Sequence, residues 1–139
     1  MASELKVDKF TGVTTAGSID VTGEGNSTTT NLQQGLVKVW VNFDGNDSGA
    51  PARNSFNLSS TTDNDTGDYT MNFTNAMNDT DYAPQFLQGD QDGAIDLGFK
   101  CTHAHFTIAN RIISRNTNGT SNTARDMNTQ SYTCHGDLA

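Results

Sequence analysis

The 139-residue chain is poor in the residues that build most helical domains. Lysine and leucine are scarce, and glutamate stands only at Glu4 and Glu24. The strong helix formers are therefore largely missing. No apolar run approaches the roughly 20 residues that span a bilayer, so membrane insertion is not expected. Cationic residues are few, with 8 Lys and Arg against 16 Asp and Glu and a net charge of −8. Residues 63–96 hold eight Asp and neither Lys nor Arg. A nucleic-acid backbone would be repelled there, which excludes that class of partner and disfavours anionic membranes. The opening "MASELKVDKF" lacks the apolar core of a secretory signal, so folding in a cytoplasm is expected.

Cysteine is limited to Cys101 and Cys134, too few for a zinc framework. They read as two reduced thiols, although spacing alone leaves their pairing open. The N-x-S/T triplets at Asn26, Asn57, Asn64 and Asn118 arise by chance in an Asn- and Thr-rich chain and are not read as glycosylation sites.

What fills the chain is Asn, Thr, Ser, Gly and Asp, with only 33% apolar residues. These are turn and strand residues around a thin core, and oligomerisation would bury more surface per chain. Residues 1–34 carry Val7, Phe10, Val13, Ile19 and Val21 as widely spaced apolar anchors, and "GEGNSTTTN" has none. This segment cannot build its own core and is expected to be an extended arm.

Residues 35–139 form the second region. "VKVWVNF" places Val37, Val39, Val41 and Phe43 on one face and Lys38, Trp40 and Asn42 on the other. That period of two marks a strand. Trp40, the only tryptophan, then lies on the outward face, as a platform or beneath a neighbouring element. Further strands are expected at "SFNLSS" with Phe56 and Leu58 inward, and at "GDYTMNFTN" with Tyr69, Met71 and Phe73 inward. Others follow at "DYAPQFLQG", "GAIDLGFKC", "AHFTIANRII" and "SYTCHGDLA", with Pro84 pointing to an edge or a bulge. No segment shows a helical period. The rhythm predicts an all-β, compact sandwich-like domain behind an N-terminal arm.

"DNDTGD" resembles a calcium loop in composition only. Gly67 is fifth from Asp63 and no closing Glu follows, so a turn feeding a strand is the better reading. Asp90, Asp92 and Asp96 in "GDQDGAID" read the same way. In "CTHAH", His103 and His105 share one strand face. Three such pairs around an axis would supply six imidazole nitrogens for a transition metal, whereas a bulge near Thr102 would turn both rings to solvent. The bulge is the simpler expectation, so no cofactor is assigned. There is no Gly-x-Ser-x-Gly and no phosphate loop, and any carboxylate pair would have to be two Asp. The chain is read as not an enzyme.

A longer stretch resembles a known family. "KVWVNFDG", "RNSFNLSS" and "TDNDTGDYTMNFTNAM", followed by "YA", form a spaced skeleton similar to tail-fibre and related virion proteins of marine and cyanobacterial phages. The likeness covers about residues 33–83, with weaker echoes in the arm and at "HGDLA". Residues 86–130 have no counterpart in it, and "NDSGAPA" departs from the Gly- and Thr-rich loop usual there. The resemblance implies a non-catalytic homotrimer displayed on the virion and meeting a host surface glycan or protein. The arm's inability to fold alone adds the expectation that residues 1–34 dock on other virion proteins while residues 35–139 project outward. Alternatives are a head fibre or capsid decoration protein, and a free carbohydrate-binding module using Trp40, Tyr69 or Tyr82. Candidate contact residues are Trp40, and Asn46, Arg53, Arg115, Asn118 and Arg125 in two polar loops.

Overall fold

The structure, a computed structural model, describes residues 4–13, 18–23, 28–89, 102–117 and 122–139, with the side chains of Thr102, His103, Asn116, Thr117 and Asn122 outside that description. The chain divides into two compact units, Met1–Leu36 and Val37–Ala139. In the first, β1 (Asp20–Thr22) and β2 (Thr29–Asn31) pair antiparallel and lead into the single-turn helix α1 (Leu32–Gly35). No helix was expected. Asn31 starts this one by accepting a hydrogen bond from the Gln34 amide at 3.1 Å, and Leu36 returns to extended backbone.

The second unit is an all-β sandwich. Its strands are β3 (Val37–Phe43), β4 (Ala52–Phe56), β5 (Leu58–Asp65), β6 (Asp68–Phe73), β7 (Ala83–Gly89), β8 (Thr102–Phe106), β9 (Ala109–Ile113), β10 (Arg115–Thr117), β11 (Asn122–Ala124) and β12 (Thr129–His135). One sheet has the order β4-β3-β12-β7 and the other β5-β6-β9-β8, with every pair antiparallel. β10 and β11 form a separate hairpin.

The two inner faces meet through the residues that alternation selects. Val39, Val41 and Phe43 of β3 pack with Tyr69, Met71 and Phe73 of β6, and Ile112, Tyr132 and Cys134 complete the cluster. Burying each large aliphatic or aromatic side chain contributes about 1.5–3 kcal/mol. Phe43 and Tyr69 meet edge to face across the sheets, with centroids 5.1 Å apart. Cys134 is a free thiol in this core, and burial pushes its pKa up to about 11. Cys101 lies outside the described residues.

Several strands follow the expected phase. β7 is an edge strand, which accommodates Pro84. β12 is central, and the tail beyond it pairs with residues 76–78 through a bridge between Met77 and Leu138. Two expectations fail. "SFNLSS" is not one strand: it breaks at Asn57, where φ is 55°, and its halves belong to opposite sheets. Leu58 does pack against the core, but the break turns Phe56 outward, and it is 52% exposed. "AHFTIANRII" is likewise two strands, folded at Thr107 and Ile108 into the hairpin β8–β9. The strand expected at 93–101 lies outside the described residues.

Asn57 makes the switch between sheets. The left-handed region is costly for most L-residues, and Asn tolerates it. Its side chain donates to the Lys38 carbonyl at 3.1 Å and to the Asn75 carbonyl at 3.3 Å, and accepts from the Asn75 backbone amide at 2.8 Å. It thus ties β3 in one sheet to the segment after β6 in the other. Asn57→Ala is expected to cost about 2–4 kcal/mol, from lost hydrogen bonds and backbone strain together. Asn57→Gly keeps the backbone and should cost about half as much. Urea unfolding of the two variants checks the order.

Candidate functional site

Four of the six candidate contact residues gather at one end of the sandwich, and a buried polar knot holds that end together. The turn of "DNDTGD" lies at Thr66 and Gly67 between β5 and β6, so "TTDND" is strand up to Asp65. Gly67 has φ 66°, and a Cβ there would overlap the Ser114 carbonyl and the backbone of Arg125. Only glycine satisfies both conditions. The Gly67 amide donates to Asp126 Oδ1 at 2.6 Å, and the Tyr69 hydroxyl donates to the same oxygen at 2.6 Å. Burial, followed by the Asp126 carboxylate, pushes the Tyr69 pKa far up, so this hydroxyl stays protonated. Gly45, two residues beyond β3, donates its amide to the Met127 carbonyl at 2.9 Å.

The loop after β3 is exposed at Asn46, whose amide donates to Asp44 Oδ1 at 3.1 Å. Arg53 pairs with the Asp44 carboxylate and donates to the Phe43 carbonyl at 3.3 Å. Its guanidinium therefore braces the loop. Ala50 in the same loop has φ 47° and is fully buried, a strained residue held by its packing. Arg115 and Arg125 stand at the foot of the β10–β11 hairpin and are half-buried. The Arg115 carbonyl accepts from Gln88 at 2.8 Å, and the Arg125 amide donates to the Ser114 carbonyl at 3.2 Å. Asn118 lies outside the described residues. This end is thus polar and braced by its own hydrogen bonds.

Trp40 is elsewhere, half-buried on the outer face of the β4-β3-β12-β7 sheet. It stands opposite Phe56 on β4 and opposite Thr133 on β12. The alternative platforms fail: Tyr69 and Tyr82 are both buried, so neither offers a ring face to a ligand. The Tyr82 hydroxyl is held by the Ala109 and Phe106 carbonyls and by Asn110, each at 3.1 Å.

His105 is half-buried rather than turned to solvent, because β8 pairs with β9 without a register shift and places it opposite the buried Asn110. Its ring stacks on Tyr82 with centroids 4.8 Å apart, and Nδ1 lies 3.0 Å from the Thr80 carbonyl. That carbonyl fixes Nδ1 as the donor, so a metal at His105 would have to take Nε2. His103 is opposite Ile112 on the backbone, and its side chain lies outside the described residues. Among the described residues, no three His, Cys, Asp or Glu side chains gather as a metal would require. Asp90, Asp92 and Asp96 lie outside them.

Sequence reasoning missed Asp126 and Phe56. Asp126 carries no local signal, since its partner Gly67 is 59 residues away. Phe56 could have been placed by reading Asn57 as a break, because Asn is among the few residues that enter the left-handed region.

Two outcomes follow for the turn. Gly67→Ala is expected to destabilise by about 2–4 kcal/mol in chemical unfolding, since it adds both strain and overlap. Asp68 forms an ion pair with Arg111, and the hydrogen bonds from that guanidinium hold its pKa below the ordinary 3.8. The lowered folded-state pKa makes this pair stabilising above pH 4 and lost as pH falls through the folded value. Arg111→Gln should therefore be less stable than the wild type at neutral pH, and the gap should close in acid unfolding curves below pH 4. Because Arg111 is half exposed, salt should narrow the gap as well. Comparison of the chain with protein-family models, with curated proteins and with solved structures finds no match.

Proposed function

We propose that the chain is a non-catalytic structural protein of a bacteriophage virion, a homotrimeric tail fibre or fibre component that takes part in host attachment. The observation that supports this reading is the arm. Leu5, Val7, Phe10, Val13 and Val21 are all exposed, with Val13 at 96%. Exposed apolar side chains spaced along this segment need a partner to cover them, and assembly supplies one. In this reading the arm docks on other virion proteins or on its sister chains, and the sandwich projects outward to a host surface glycan or protein.

The resemblance of residues 33–83 to phage fibre proteins points the same way. The segments that carry it include β3, the Asn57 switch and the Gly67 turn, which are the parts that build the sandwich. Residues that set strand phase and turns fit a scaffold role better than a reaction centre. The protein works in this scheme by presenting loops and a sheet face on a multichain particle, and its place is the virion after assembly in the bacterial cytoplasm.

The test has two parts. Analytical ultracentrifugation of the full chain should give a trimer, and an arm variant carrying Val7→Ser, Phe10→Ser and Val13→Ser should lose particle incorporation while its sandwich still unfolds cooperatively. A stable monomer, or a particle reconstruction with residues 1–34 pointing into solvent, would overturn the proposal.

A further inference from the structure

The two outer faces of the sandwich differ in chemistry. On the β5-β6-β9-β8 sheet the polar side chains bond to one another. Asn72 donates to Ser60 and Thr62 at 3.1 Å each, Asn64 donates to Thr70 at 2.9 Å, and Arg111 pairs with Asp68. The centre of that face is satisfied from within, and its one large exposed ring among the described residues, Phe106, stands alone on the β8 edge with Ala109 opposite it. On the β4-β3-β12-β7 sheet one row crosses all four strands in register: Phe56, Trp40, Thr133 and Gln85. Directly opposed residues on neighbouring strands point to the same side and lie within contact reach. The row is therefore two adjacent aromatic rings followed by a hydroxyl and an amide, running roughly 14 Å from edge to edge at the usual strand spacing. Phe56 is 52% exposed, and Trp40 is half-buried beside it.

Charge narrows what such a row can hold. The chain carries 16 carboxylates, yet none stands at a strand position of this face. A cationic partner finds no counter-charge there. An anion is repelled by the net −8 of the chain, Lys38 is buried, and Arg53 of β4 is already paired with Asp44. The remaining chemistry is uncharged, with an apolar face to lie on the rings and hydroxyls to meet the polar half of the row. A second copy of the sheet would cover Leu87, 64% exposed beside the row, as well as the two rings, but it would desolvate Thr133, Gln85 and the bonded pair Asn42 and Ser131, which a sugar's hydroxyls can satisfy instead.

We propose that this sheet face binds a neutral oligosaccharide across the strands, with pyranose rings stacked on Phe56 and Trp40 and sugar hydroxyls bonded to Thr133 and Gln85. The site reads the apolar face of the ring rather than one linkage. A flat, solvent-open platform of this kind gives weak affinity per chain, which multivalent display raises. The inference rests on the attachment role proposed above for its biological meaning, but not for its test.

Trp40 is the only tryptophan, so its fluorescence reports this face alone. The full chain is titrated with maltohexaose, cellohexaose and laminarihexaose. A saturable change with Kd of about 1 mM is expected for at least one of them. Phe56→Ala should weaken it about 5- to 10-fold with no change in sedimentation. The idea is overturned by no saturable response to any of the three up to about 20 mM, or by an unchanged Kd in Phe56→Ala. It is equally overturned if Phe56→Ala alters the oligomeric state, which would make the face a contact between copies. A trimer that ignores all three sugars removes this inference and leaves the fibre reading, whereas a sugar-binding monomer does the reverse.

Discussion

Asn57 holds a left-handed backbone while its amide bonds the Lys38 and Asn75 carbonyls, and the two sheets can face each other only because of that corner. An extended chain running on through Leu58 would keep β4 and β5 in one sheet and would leave β6 without its core partner. With the corner in place, β3 and β6 come face to face. Phe43 can then meet Tyr69, and the hydroxyl of Tyr69 can reach Asp126. The thin apolar supply of the chain makes such polar clasps matter. Each hydrogen bond contributes only about 1 kcal/mol net, but an unpaired buried group costs more.

The sandwich spends its polar residues differently on its several surfaces. At the Gly67 end and on the β5-β6-β9-β8 sheet, side chains bond to each other or to the backbone, and arginines are matched with aspartates. On the opposite sheet the Trp40 row leaves two aromatic side chains partly exposed. The physical difference lies in the partners that strand register supplies. Asn72 faces Ser60 across a pair, while Trp40 faces Phe56. Rings cannot satisfy one another with hydrogen bonds, so they remain available for stacking.

Some of this was legible in the chain. β3 and β6 were readable because one face of each is buried and the other, Lys38 excepted, is not, which writes a period of two into adjacent residues. The Gly67 turn and the edge position of Pro84 were readable for the same local reason, since backbone chemistry at those residues has few solutions. Phe56 was misplaced because alternation was carried through Asn57 as though the strand were continuous. The β8–β9 hairpin was missed because its turn at Thr107 and Ile108 contains no Gly, Pro, Asn or Asp to announce it. Asp126 and the stacking of His105 on Tyr82 depend on partners distant along the chain, and no local pattern encodes them.

The sequence by itself determined that the chain is all-β, which residues of β3 and β6 form the core, and that the chain carries a net charge of −8. These are properties of neighbouring residues and of summed charge, and neither needs a third dimension. The tertiary structure decided which outward residues stand together. Placing Phe56 beside Trp40, burying Tyr69 and Tyr82, and setting Asp126 beneath Gly67 all follow from strand register and from the switch of sheets at Asn57. Register joins residues far apart along the chain, so the surface a ligand would meet exists only after the sheets have paired.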